Sequence, residues 1–165
     1  MQGHSVAIEL NNTASHRFTK PRPKIMPQEH IQIPRKITNQ LLHLAQISPD
    51  FEVCGLIGSK NGLPSGCYPI KNTAEHPQQR FQLDPAQQIS AMAKMRDQGE
   101  ELFAIYHSHP TAPATPSLTD LEQASYPEAL YLIISLNTKG VLEMRGFKID
   151  HKSAQELTLS LTENM

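Results

Sequence analysis

The sequence predicts an α/β sandwich built on a mixed sheet, and three observations lead there. Short apolar runs recur along the chain, each bounded by turn residues, as strands are. Two longer stretches carry apolar residues at helical spacing, each opened by a proline. A third, shorter helical stretch follows a Pro-rich loop, so several strands combine with two long helices and one short one.

In chain order, Ile31-Gln32-Ile33 alternates like a short strand. Pro34 suits the first position of a helix whose inward residues are Ile37, Leu41, Leu44 and Ala45, with Ser48-Pro49-Asp50 ending it. Phe51 to Ser59 reads as a buried strand, and Lys60-Asn61-Gly62 as a hairpin turn. A return strand around Cys67 to Ile70 leads into a loop over 72–79, then a strand Arg80-Phe81-Gln82-Leu83. Asp84 and Pro85 fit the cap and first position of the second helix, with Ile89, Met92 and Ala93 inward and Gly99 closing it. Leu102 to Tyr106 is a strand running straight into His107. A Pro-rich loop fills 110–116, and a short helix starts at Ser117 and stops before Pro127. Leu130 to Leu136 and Val141 to Ile149 are strands joined by a turn at Asn137 to Gly140, and Ala154 to Leu161 fits strand or helix equally.

With 165 residues the chain has the size of one domain. Residues 1–30 stand apart: they hold Pro21, Pro23 and Pro27 and a basic stretch from His16 to Lys24, and are expected to form a flexible N-terminal tail ahead of a domain over 31–165. A formal charge of −1 argues against a nucleic-acid partner, which requires concentrated basic charge. The absence of Trp, with aromatics at 5%, argues against a base-stacking platform. The longest apolar run, Ala129 to Ile134, is far short of the roughly 20 residues a membrane helix needs. Two cysteines, Cys54 and Cys67, cannot make a disulfide framework, and a soluble, cytoplasmic protein is expected. The sequence leaves the oligomeric state open.

The chemistry concentrates in one segment, from His107-Ser108-His109-Pro110 to Ser117-Leu118-Thr119-Asp120. Two histidines one residue apart at the end of a strand point to the same face. Asp120 sits one helical turn after Ser117, so the segment can offer a metal two nitrogens and one oxygen. Three protein ligands leave a fourth tetrahedral position for water, the arrangement of catalytic rather than structural zinc. A base is needed beside that water, and Glu52 is the best candidate: an acid opening an apolar strand is costly without a partner or a task. Gly55 and Gly58 weaken that strand and suggest close packing against neighbouring backbone. Cys54, expected on the strand face opposite Glu52, reads as a buried structural thiol, as does Cys67. Ser117 to Asp120 also fits a helix capping box, in which a metal-bound Asp would be a poor partner. The remaining histidines, 4, 16, 30, 43, 76 and 151, lack ligand spacing and are expected at the surface.

Glu52 followed by Cys-Gly-Leu-Ile-Gly, then His-Ser-His-Pro, seven residues to Ser117 and two more before Asp120, resembles the JAMM (MPN+, Mov34/MPN/PAD-1) zinc metallopeptidase signature. Asn72-Thr73-Ala74, Arg80-Phe81 and Asp84-Pro85 are similar to its single-domain bacterial members, and the likeness covers roughly residues 31–150. The resemblance implies a cytidine-deaminase-like JAMM/MPN fold, a curved mixed sheet flanked by two long helices and one short helix. It implies hydrolysis of a peptide or isopeptide bond at the C-terminal tail of a ubiquitin-like protein, here of the sulfur-carrier type. Carried over, His107, His109 and Asp120 would bind one Zn2+, Glu52 would act as general base, and Ser117 would donate to the oxyanion. Two other readings remain open at this level: a non-catalytic MPN-type binding scaffold, and a peptidase on a cell-wall or phage-type substrate.

Overall fold

The computed structural model describes residues 30–163. The expected tail over 1–30 therefore lies outside the described residues, except for His30, which begins the first strand. Ten elements follow in order: β1 (His30–Pro34), α1 (Arg35–Gln46), β2 (Cys54–Lys60), β3 (Leu63–Ile70), α2 (Pro85–Asp97), β4 (Glu101–His109), α3 (Leu118–Gln123), β5 (Leu130–Ser135), β6 (Glu143–Asp150) and β7 (Ser153–Thr162).

The strands form one mixed seven-stranded sheet in the order β1-β7-β6-β5-β4-β2-β3, parallel at β1/β7 and β4/β5 and antiparallel elsewhere. Bulges where β2 passes Gly58 bend the strand, and the sheet curls until its edge strands β1 and β3 touch. Each face then buries one helix. Ile37, Leu41 and Ala45 of α1 pack on Ala104, Tyr106, Leu132 and Ile134. Ala91 and Met95 of α2 pack on the opposite face, against Leu56, Ile105, Tyr131 and Ile133. Alternation along β4 assigns its odd-numbered residues to the α2 face, so His107 and His109 emerge there.

Local chemistry explains most element ends. Asn61 and Gly62 both have positive φ, the requirement of a two-residue hairpin turn, and His151 and Lys152 repeat it between β6 and β7. That second hairpin makes 153–162 a strand, resolving the ambiguity in the sequence. The Asp84 side chain accepts from the Gln87 amide at 2.9 Å and Gly99 has a φ of 72°, so α2 starts and stops as its caps predict.

Several expectations need correction. Pro34 is extended and ends β1, so α1 begins one residue later. The strand expected from Phe51 begins only at Cys54, because the Glu52 amide donates to the Pro77 carbonyl and its own carbonyl accepts from the Asn72 side chain, outside any ladder. Arg80 to Leu83 is no strand. One bridge joins Leu83 to Asn72; the Arg80 amide turns back to the His76 carbonyl, the Gln82 carbonyl accepts from the Thr73 amide and hydroxyl, and the Asn72 side chain takes the Arg80 carbonyl and the Gln82 amide. Ile89 is 70% exposed, since Ala91 and Met95 define the inward face of α2 and Ile89 lies well round the helix from them.

The close approach inferred from Gly55 is real. A Cβ there would sit 2.4 Å from the Tyr106 hydroxyl oxygen and 2.5 Å from the Tyr68 carbonyl oxygen. Gly55→Ala should therefore lower the unfolding free energy by about 1–3 kcal/mol, measured by denaturant titration.

Candidate active site

The site is assembled by sheet register. β4 runs antiparallel to β2, with Cys54 opposite His107. Continuing that register two residues beyond β2 sets Glu52 opposite His109. Ser108, fully buried between the histidines, locks this join: its amide donates to the Val53 carbonyl at 3.0 Å, and its hydroxyl accepts from the Val53 amide at 2.9 Å. Asp120 arrives from the crossover between the parallel strands β4 and β5, in the first turn of α3.

Three donor atoms converge. His107 Nε2 and His109 Nε2 are 3.1 Å apart, and Asp120 Oδ2 lies 3.1 Å from the first and 3.2 Å from the second. Ligands at 2.0–2.1 Å in tetrahedral array around zinc are about 3.3 Å from one another, so the triangle has the dimensions of one face of such a site. Glu52 supplies a fourth group: one of its oxygens and one nitrogen of each histidine all lie within 4.8 Å of one another. Glu52, His107 and His109 are 4%, 1% and 3% exposed.

Hydrogen bonding sets the ring states. His109 Nδ1 lies 2.7 Å from the Pro113 carbonyl, which can only accept, so a proton sits on Nδ1 and the neutral form of the ring has its Nε2 lone pair turned inward. Phe81 stacks on His107 with ring centroids 4.3 Å apart and closes the far side of that ring.

The electrostatics follow from burial and proximity. Burial pushes the Glu52 carboxyl up to about 7, with Asp120 adding to the rise and His109 opposing it. Burial also holds His107 below its ordinary value despite Asp120. For His109 burial acts downward, but the bonds to Asp120 and Pro113 prevail and the net shift is upward. Burial alone would raise Asp120; its bonds to both histidines and the Ser117 amide reverse this and hold it far below the usual carboxylate range.

All five sequence-derived residues, Glu52, His107, His109, Ser117 and Asp120, come together here, with one change in their relations. The capping box is fully formed: Ser117 Oγ accepts from the Asp120 amide at 3.1 Å, and Asp120 Oδ2 accepts from the Ser117 amide at 2.9 Å. That same Oδ2 faces both histidines, so in Asp120 the cap bond and the inward aim of the oxygen coexist, contrary to expectation. A carboxylate oxygen has lone pairs for both. Cys54 is also misassigned by face: it pairs directly across from His107 and lies on the same side of the sheet. It remains a structural thiol, buried, donating to the Ile70 carbonyl, and pushed up to about 12 by burial and by Glu52. Cys67 contacts Tyr106 on the opposite face. His30, His43, His76 and His151 are exposed, as expected, while His4 and His16 lie outside the described residues.

Sequence reasoning misses the supporting residues. Pro113 acts through its carbonyl, to which residue type is blind. Phe81 and Asn72 stand in segments similar to bacterial relatives, but nothing in their spacing reveals a ring stacked on His107 or a side chain tied to Glu52. Beside Phe81 opens a cavity of about 340 Å³ whose walls include Leu83, Gln88, Tyr126 and Tyr131.

Among the described residues, no helix is long and apolar enough to cross a membrane. Comparison with known proteins agrees with the site. Residues 34–148 match the family model Prok-JAB, prokaryotic homologs of the JAB domain. The chain is 35% identical over 89 residues to a desampylase of Haloferax volcanii, an alignment spanning 53% of this chain and 64% of that protein. It is 30% identical over 129 residues to the CysO-cysteine peptidase of Mycobacterium tuberculosis, spanning 77% and 87%. A solution structure of a Desulfitobacterium hafniense protein superposes with TM-score 0.74 at 30% identity, covering 83% of this chain and 95% of that one. A JAB1/MPN domain protein from Archaeoglobus fulgidus has the same fold at TM-score 0.52 and 15% identity, covering 81% and 97%. With the sheet, the convergent His-Ser-His and Ser117–Asp120 segments and a match over most of its length, the chain belongs to the JAMM/MPN+ family, among the prokaryotic homologs of the JAB domain.

Proposed function

We propose that the chain is a zinc-dependent hydrolase that cleaves a peptide or isopeptide bond at the C-terminal tail of a ubiquitin-like protein. The observation that carries this is the triangle of His107 Nε2, His109 Nε2 and Asp120 Oδ2 at 3.1–3.2 Å, with Glu52 beside it. Two imidazoles and one carboxylate are a donor set suited to zinc.

A bound zinc ion would supply a Lewis acid for the scissile carbonyl and an acidified water. The protein does the rest. Glu52, buried beside the triangle, is placed to accept a proton from the attacking water and pass it to the leaving amine. Pro113 fixes the His109 tautomer. Ser117 Oγ already accepts from the Asp120 amide, which leaves its own O–H hydrogen to donate to the oxyanion on the tetrahedral carbon. Ser117→Ala should lower kcat by about 10²–10³-fold with zinc retained. It should also cost about 1 kcal/mol in thermal or denaturant unfolding through the lost cap.

The substrate class is supported by the relatives, whose names specify a desampylase, a CysO-cysteine peptidase and a probable TtuB-protein conjugate cleaving protease. The cavity beside Phe81 suits an extended tail leading to the metal-binding face. A carrier of the sulfur-transfer type, joined through its C-terminus to cysteine or another amine, is the proposed substrate. Residues 31–165 are the proposed catalytic unit. The free thiols of Cys54 and Cys67 suit a reducing cytoplasm. The test is mass spectrometry of a ubiquitin-like carrier bearing a C-terminal cysteine amide after incubation with the zinc-loaded chain. Release of free carrier and cysteine is expected; an intact adduct would overturn the proposal.

A further inference from the structure

Glu52 has a buried oxygen, Oε1, with no hydrogen-bond partner, so the aim of its carboxylate depends on how its backbone is held. On one side Ser108 grips the next residue, Val53. On the other side stands Asn72, just after β3. Its Nδ2 donates to the Glu52 carbonyl at 3.0 Å and to the Arg80 carbonyl at 2.9 Å. Its Oδ1 accepts from the amides of Ala74 and Gln82, both at 3.0 Å. Two carbonyls on one end and two N–H groups on the other fix the amide's orientation and use its full bonding capacity. Arg80 and Gln82 flank Phe81, the ring stacked on His107, so one side chain joins the Glu52 backbone to the segment that walls the metal-ligand cluster.

We propose that Asn72 is the positioning residue for the base: its Nδ2 donor to the Glu52 carbonyl sets where the carboxylate stands relative to His107 and His109, while its Oδ1 holds the 74–82 loop. The inference rests on Glu52 being the base. Misplacement of a reacting group by about 1 Å can cost about 100-fold, so this one amide has leverage on rate without touching substrate.

Two variants separate the halves of the amide. Asn72→Asp keeps the oxygen that accepts from Ala74 and Gln82 but loses the donor to Glu52; Asn72→Ala loses both. Each is assayed as the full chain for zinc content, for amide hydrogen exchange at Ala74 and Gln82, and for kcat and KM. In Asn72→Asp, kcat should fall by about 10–100-fold with KM within about twofold, zinc retained and both amides still protected. Asn72→Ala should show a similar fall in kcat with those amides exposed to exchange. The inference is overturned if Asn72→Asp keeps kcat within about twofold of wild type, or if its loss comes with lost zinc, lost protection or unfolding, since Asn72 would then serve the fold alone. It is also overturned if Asn72→Ala keeps its rate, because the effect of Asp would then be its charge. A Glu52→Gln variant with undiminished kcat would instead reject the role of the base itself, so the two failures are distinguishable.

Discussion

Glu52→Gln should lower kcat by about 10²–10⁴-fold while leaving zinc content and KM near wild type. Gln preserves the shape of the side chain and adds no charge, so the burial that raises the native carboxyl is not disturbed. What is lost is the ability to accept a proton from water and return it to the leaving amine. Metal analysis beside single-turnover cleavage checks this directly. A variant that cleaves at an undiminished rate would require another base; the other carboxylate beside both histidines, Asp120, is assigned to the metal. A variant that loses zinc along with activity would make Glu52 a ligand instead.

The second large effect concerns the metal. His107→Ala should weaken zinc binding by at least about 100-fold, because supporting groups alone are worth 10–100-fold and His107 is a direct donor in this account. His109→Ala should do the same. Zinc at about 100 times its dissociation constant stabilises the folded chain by about 2.7 kcal/mol. Added zinc should therefore raise the Tm of the wild type, and chelation should reverse it, with little response in either variant. Equal zinc-dependent shifts in wild type and variants would mean that the ion binds elsewhere.

Legibility differed with the kind of signal. His107 and His109 are readable because a period of two is a property of any strand, and Asp120 because one helical turn separates it from Ser117. Strands such as Leu130–Ser135 were evident from their apolar runs. The face of α2 was not: its apolar residues are spread round the helix, and Ile89 is exposed while the small Ala91 is buried. The 72–83 segment failed for another reason. Its backbone is held by the side chains of Asn72 and Thr73 together with isolated loop bonds rather than by a continuous strand ladder, and that exchange is invisible to propensity. The same loop turned Glu52 from the expected first strand residue into a residue held by Pro77 and Asn72. Cys54 was open to the same rule: residues two apart share a strand face, so Glu52 and Cys54 belong together, as the pairing of Cys54 with His107 shows, and the expectation of opposite faces miscounted the period.

The proposed reaction stands on two imidazoles and a carboxylate holding a single zinc ion. X-ray absorption at the zinc edge of the loaded full chain reads that coordination. Nitrogen and oxygen neighbours at about 2.0–2.1 Å are expected, including imidazole scattering from two histidines, and no sulfur. A sulfur neighbour at about 2.3 Å would put Cys54 or Cys67 on the metal and contradict the claim.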